Sequence, residues 1–476
     1  MGIDMSNAIS GKQDTKEGTG IMHRKQTELS EEKYVNSHSE ELYELLIRLA
    51  KIPAPTGREE RRAAFCRDWL TGQGAGGVFT DRAGNVVYPY HVREGKPLVI
   101  FMAHMDVVFP DLTELPLYER DGRVFCPGVG DDTANLAVLL MTAKFVAENR
   151  PDTGEYGFLL VCGVGEEGLG NLKGAREICA EYAEQTEAFY AFDLTMDSYT
   201  ARAVGSLRYR ISVQAQGGHS FHCFGNTNAN VVLSRLILNL YQISVPGRGK
   251  TTYNVGIISG GTSVNTIAEH AEALYEIRSD EAADLEEMKQ RFFETVQACE
   301  EAFRNDAAGI PEREESGRET AGIPEREESG RGTARISEQE ECGRKTGRSR
   351  KAPVQINIEL IGSRPCETEV DRKKRKQLFD QVEQAVKRVT GKVPEPVLCS
   401  TDCNIPLSLG IPSVCVGTCR GAGAHTREEY IERDSLADGL RIALELLRPY
   451  TANQEALPKC KMYDRSNNGK EGICHE

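Results

Sequence analysis

Pro97 to Asp106, PLVIFMAHMD, opens as an unbroken apolar run and ends in two side chains able to bind a metal, His104 and Asp106. The run Pro97–Met102 has the length of a buried strand. Residues i and i+2 of a strand share a face. His104 and Asp106 therefore aim the same way just past a strand's carboxyl end, where open α/β sheets bind ligands. An imidazole beside a carboxylate suits a metal ligand and the partner that orients it.

Working outward, 476 residues are too many for one ordinary domain and suggest two. The formal net charge of −14 argues against a nucleic-acid binder. No apolar run approaches the ~20 residues of a membrane helix, and the first residues lack a secretory apolar region. Fourteen scattered cysteines then read as reduced thiols, and the expected compartment is the cytoplasm. Cys399/Cys403 and Cys415/Cys419 approach zinc-like spacing, but Ser413–Gly417 around Cys415 looks like a buried strand. We read these cysteines as core residues.

Along the chain, residues 1–33 are polar and aperiodic, a flexible tail. Leu42, Leu45, Leu46 and Leu49 then mark a helix that ends before Pro53 and Pro55. Pro127-Gly-Val-Gly-Asp-Asp-Thr133 is a Gly-rich loop that delivers Asp131 and Asp132 to an apolar helix, Ala134–Ala147. Capping explains one carboxylate there, not two in tandem. Tyr156–Cys162 is a strand running into Gly163-Val-Gly-Glu-Glu-Gly168. The glycine spacing is formally that of a dinucleotide loop. Glu166 and Glu167 would set two negative charges against a pyrophosphate, so a cation suits the loop better. Glu187–Phe192 is a strand ending in Asp193.

From Leu207 the pattern alternates and gives βαββαβ, a compact α+β module inserted at 207–364. Within it, residues 308–346 hold AGIPEREESGRET, AGIPEREESGRGT and a degenerate third copy. One Ile per copy cannot build a core, so this tandem-repeat insert is expected to be disordered. The first domain, 34–206, resumes over 365–450. It offers His425 in Gly421-Ala-Gly-Ala-His425, followed by an amphipathic helix and a second tail, 451–476.

Five stations, each at a strand exit or helix start, thus carry His104/Asp106, Asp131, Glu166/Glu167, Asp193 and His425. Imidazole and carboxylate groups without cysteine suggest two divalent ions, Zn²⁺ first, with Mn²⁺ or Co²⁺ as alternatives. Paired glutamates allow one to ligate while its neighbour moves protons. No Gly-x-Ser-x-Gly elbow supports a serine hydrolase.

The motifs HMDVVFPD, GVGDDTANLA, GEEGLG, GGHS, GGTSVNTIAEHAE with Arg278, and GAGAHTREE resemble the M20 metallopeptidase family over roughly residues 40–450. The resemblance implies a zinc-peptidase-like α/β catalytic domain with an inserted dimerisation module. It implies His104, Asp131, Glu167, Asp193 and His425 as metal ligands, with Asp131 bridging, Asp106 orienting His104 and Glu166 as general base. His219 would reach a neighbouring subunit's site and polarise the scissile carbonyl, while Asn265 and Arg278 would hold a substrate carboxylate. The implied reaction is cleavage of the amide bond of a small carboxylate-bearing peptide in a homodimer, with a metal-activated water as nucleophile. An N-acyl amino acid deacylase shares the motifs, and a non-catalytic binding protein is the rival from another class. Thr133 departs from the family pattern, which has Lys there.

Overall fold

The computed structural model describes residues 11–305 and 354–451. The repeat at 308–346 and the stretch from 452 onward lie outside them. The first helix, α1 (Gly11–Ala50), begins well before the expected start near residue 34. Apolar periodicity marks only its packed end, where Leu42, Leu45, Leu46 and Leu49 are buried. The turns before it are rich in Lys, Glu and Gln, which favour a helix without leaving an amphipathic trace.

The chain continues through α2 (Glu60–Gly72), β1 (Phe79–Thr80), β2 (Val86–Tyr90), β3 (Leu98–His104), β4 (Tyr118–Arg120) and β5 (Arg123–Phe125). Next come α3 (Asn135–Asn149), β6 (Gly157–Gly163), α4 (Lys173–Tyr182), β7 (Thr186–Phe192) and β8 (Ser198–Ala203). After the module, α7 (Arg372–Thr390), β15 (Glu395–Cys399), α8 (Asn404–Ser408), β16 (Ser413–Val416), β17 (Gly421–Ala422), β18 (Tyr430–Glu432) and α9 (Ser435–Leu447) complete this part.

An eight-stranded sheet is ordered β1-β2-β6-β3-β7-β16-β8-β15. Strand β3 runs parallel to both β6 and β7 at its centre. Val99, Phe101 and Ala103 join one apolar core, with α1, α3 and α9. Leu98, Ile100 and Met102 join a second, with α4 and α8. A strand buried on both faces shows a continuous apolar run rather than alternation, which is how Pro97–Met102 reads. Because β6, β3 and β7 are parallel neighbours, their carboxyl ends lie side by side, carrying Glu166/Glu167, His104/Asp106 and Asp193.

Cys415 and Cys403 are buried among the apolar groups of that second core, as expected of core cysteines. Strands β8 and β15 escaped the sequence reading. One mixes Ser, Thr and Arg, and the other carries Pro396 at the sheet edge, where proline is tolerated. A small sheet, β17-β18-β5-β4, closes over the Gly-rich loop before α3; its two- and three-residue strands are too short to show a period.

The module comprises β9 (Gly205–Gln214), β10 (Gly218–His219), α5 (Ala229–Leu240), β11 (Thr251–Gly260), β12 (Thr266–Ile267), β13 (His270–Ser279), α6 (Ala282–Asn305) and β14 (Gln355–Arg364). Its antiparallel sheet is ordered β11-β13-β9-β14, while β10 and β12 form a separate pair. Alternate residues of β9 and β13 pack on α5 and α6 around Phe292, which stacks on Tyr209 and Tyr275.

Candidate metal centre

Strand β3 ends by burying His104, whose Nε2 lies 3.1 Å from Asp131 Oδ1. Beyond this close contact the buried nitrogen has no well-aligned hydrogen-bond partner. A buried imidazole nitrogen free of a hydrogen bond and facing carboxylate oxygens is a good cation ligand. The other nitrogen, Nδ1, lies 3.0 Å from the Asp106 carbonyl and 3.6 Å from Asp106 Oδ1.

Asp131 is the hub. Its Oδ2 sits 3.1 Å from His425 Nε2, which lies 3.1 Å from Glu167 Oε1. Two clusters able to hold an ion therefore share Asp131: His104/Asp131/Asp193 and Asp131/Glu167/His425. His104, Glu166 and Glu167 form a third overlapping grouping. Among the described residues, no such cluster contains a cysteine.

Acidic and imidazole groups are concentrated here. Burial, reinforced by Asp131, pushes Asp193 up to about 6, and burial pushes Glu166 up to about 7 against the pull of Arg364 and His104. Hydrogen bonding to Asp131 and Glu167 raises His425 to about 10. Burial would raise Asp131 too, but the two imidazoles hold it below the usual carboxylate range. Buried acids with few compensating cations, beside two imidazoles, form a donor set that fits divalent metal.

Asp106 reaches further than its neighbour. Its Oδ1 accepts from Glu166 N at 3.0 Å and its Oδ2 from Glu167 N at 2.9 Å and Thr56 Oγ1 at 3.0 Å. One buried carboxylate thus pins the glutamate loop to the end of β3. Asp132, the second of the tandem aspartates, accepts from His104 N at 2.8 Å.

Sequence reasoning missed three residues here. Arg364, the last residue of β14, is buried and donates from Nη1 to Glu166 Oε1 at 3.0 Å and from Nη2 to the Glu166 carbonyl. Arg62 of α2 is buried behind the cluster and donates to the carbonyls of Ile52 and Met105, both at 2.7 Å, and to Thr133 Oγ1 at 3.4 Å. An arginine from another helix therefore stands beside Thr133, where the family pattern has a lysine. Glu429, inside a quoted motif but given no role, accepts from the loop that carries Asp131. A lone arginine on a strand or helix gives no sequence signal; only the fold shows what it reaches.

Of the module, the residues expected to serve the site, His219, Asn265 and Arg278, lie apart from this cluster in their contacts. His219 is exposed, and its Nδ1 accepts from the amides of Phe221 and His222 at 3.3 and 3.4 Å. This leaves the proton on Nε2, so His219 offers an outward donor. The β10–β12 pair sets His219 opposite Thr266, and Ser220 N donates to the Asn265 carbonyl. Arg278 Nε pairs with Glu276 at 2.9 Å. Among the described residues, the hydrogen bonds of His219, Asn265 and Arg278 all stay within the module.

A mixed sheet whose central parallel strands are buried on both faces and end in acid–imidazole clusters, with an α+β module inserted, defines a metallopeptidase-type fold. The chain belongs to peptidase family M20/M25/M40, whose model matches residues 100–448. It is 25% identical over 253 residues to a probable carboxypeptidase of Trichophyton verrucosum, covering 49% of this chain and 54% of that one. The chain thus spans about half the length of this curated relative. Its fold is similar to that of the di-peptidase Dug1p of Saccharomyces cerevisiae, with a TM-score of 0.64, 15% identity, and 89% and 98% of the two chains covered. It is also similar to aminopeptidase PepT of Bacillus cereus, with a TM-score of 0.60, 17% identity, and 87% and 98% covered.

Proposed function

We propose that the protein is a two-metal hydrolase that cleaves the amide bond of a small peptide bearing a free carboxylate. One observation carries the reading: the two oxygens of Asp131 face the imidazoles of His104 and His425, so two ligand clusters share one carboxylate. His104, Asp131 and Asp193 would hold one ion; Asp131, Glu167 and His425 would hold the other. Zn²⁺ is the first choice, with Mn²⁺ or Co²⁺ as alternatives, and such ions acidify water and polarise a carbonyl.

The remaining steps fall to the chain's own side chains. Glu166, buried and displaced towards neutrality, takes a proton from the attacking water and returns it to the leaving nitrogen. Asp106 fixes the His104 ring and both glutamate amides. Asn265 and Arg278 hold the substrate carboxylate. His219, donating from Nε2, stabilises the developing oxyanion in the site of a second subunit.

The homodimer assigned here uses the module. Strand β11 is a sheet edge with Ile257 and Ile258 exposed, and the neighbouring α5 exposes Val231 and Leu238. An open edge beside an apolar helix face suits pairing with a second copy. No helix among the described residues is long and apolar enough to cross a membrane. The described cysteines are free, which fits the reducing cytoplasm.

The test is a panel of di- and tripeptides and N-acyl amino acids, assayed with Zn²⁺, Mn²⁺ or Co²⁺ added to chelator-treated protein. Metal-dependent release of amino acids from peptides is the expected result. Turnover of N-acyl amino acids alone would move the assignment to deacylation.

A further inference from the structure

We propose that Glu429 is a positioning residue that sets both halves of the metal cluster at once, by clamping the Asp131 loop to the segment that carries His425. Its side chain is 1% exposed and spends both oxygens on one loop. Oε1 accepts from Gly130 N at 2.7 Å and from Asp131 N at 2.8 Å, and Oε2 accepts from Gly128 N at 2.7 Å. Three short bonds thus hold the loop at Gly128, Gly130 and Asp131, the last being the residue whose carboxylate both clusters share. The backbone adds a fourth tie, from Cys126 N to the Glu429 carbonyl at 3.1 Å.

The loop is shaped around this carboxylate. Three amides of this loop, those of Gly128, Gly130 and Asp131, turn inward like an anion-binding nest, and the carboxylate they meet is the protein's own. A Cβ at Gly130 would come within 3.1 Å of Glu429 Oε1, and Gly128 has φ +75°. The glycines therefore admit the clamp as well as bend the chain. Glu429 lies four residues beyond His425, just before β18, and β18 pairs with β5, which leads into the Asp131 loop. The two loops that must agree on the place of Asp131 and His425 are joined here by side chain and sheet together.

This inference rests on the two-ion reading, and the test separates the two. Co²⁺ or Mn²⁺ is titrated into metal-free parent, Glu429→Gln and Glu167→Gln proteins, with calorimetry giving stoichiometry and affinity well below each melting temperature. Glutamine cannot satisfy all three amides, because its nitrogen is a donor. Residues that support metal ligands typically contribute ~10–100-fold to affinity. Glu429→Gln is expected to weaken both ions by that factor while still folding, whereas Glu167→Gln weakens one. A structural role alone would lower the melting temperature and leave the affinity of the folded protein unchanged. A parent that binds no pair of ions contradicts the two-ion reading. A parent that binds two, with Glu429→Gln binding both as tightly, overturns the clamp. Should Glu429→Gln not fold, Glu429→Asp, one methylene too short to span the three amides, is read in the same way.

Discussion

Arg364 Nη1 lies 3.0 Å from Glu166 Oε1, and both side chains are buried. The arginine ends β14, the strand by which the chain leaves the module, whereas the glutamate stands at the end of β6 in the large sheet. The proposed base is therefore held by a residue from the module's last strand. Removing one partner of a buried pair strands the other charge, at a cost of about 3 kcal/mol or more. Arg364→Met should lower unfolding stability by that order and reduce turnover. Arg364→Lys should recover charge but not the second bond to the Glu166 carbonyl. Denaturant melts together with kcat check this; unchanged values in Arg364→Met would mean the pair does nothing.

The adjacent glutamates should separate. Glu166→Gln keeps shape and loses the base, so kcat should fall by ~10² or more with metal retained. Glu167→Gln should weaken one ion. Metal analysis of the two proteins decides, and the opposite pattern would reverse the assignment.

How legible was this in the sequence? The β3 run and the stations at His104, Glu166/Glu167 and Asp193 could be read because parallel strands buried on both faces leave continuous apolar words ending in polar ones. That they lie side by side follows from the order β6-β3-β7, which no periodicity encodes. Arg62, Arg364 and Glu429 were invisible as partners because each acts across a long sequence separation, from elements whose patterns report only packing. The length of α1 was missed for the reverse reason: its early turns have helix propensity without an apolar face.

Arg62 supplies a further test. Met at this position would leave the buried carbonyls of Ile52 and Met105 short of a donor, costing roughly 1–3 kcal/mol for each group left unmet. Thr133→Lys, which restores the family's lysine, should also destabilise, since a second cation would be buried against Arg62. Combined with Arg62→Met it should cost less than the sum of the two. Additive losses in a thermal or denaturant double-mutant cycle would mean that the two positions do not share one role.

His219 tests whether one subunit completes the site of another. If it serves the other subunit's site, inactive His219→Ala and inactive Glu166→Gln proteins should complement each other. A mixed dimer has one site with an intact base that receives the partner's His219. Regained turnover after confirmed subunit exchange is expected; none would return His219 to a surface turn.

The most direct test of the central claim, that Asp131 is shared by two metal sites, is the number of ions bound per chain by parent and Asp131→Asn proteins at equal free Zn²⁺, measured by equilibrium dialysis with elemental analysis. Two ions per chain are expected in the parent, with turnover appearing only as both sites fill, and weakened binding of both in Asp131→Asn. A parent fully active without metal, or an Asp131→Asn protein that loses one ion and keeps the other at full affinity, would contradict it.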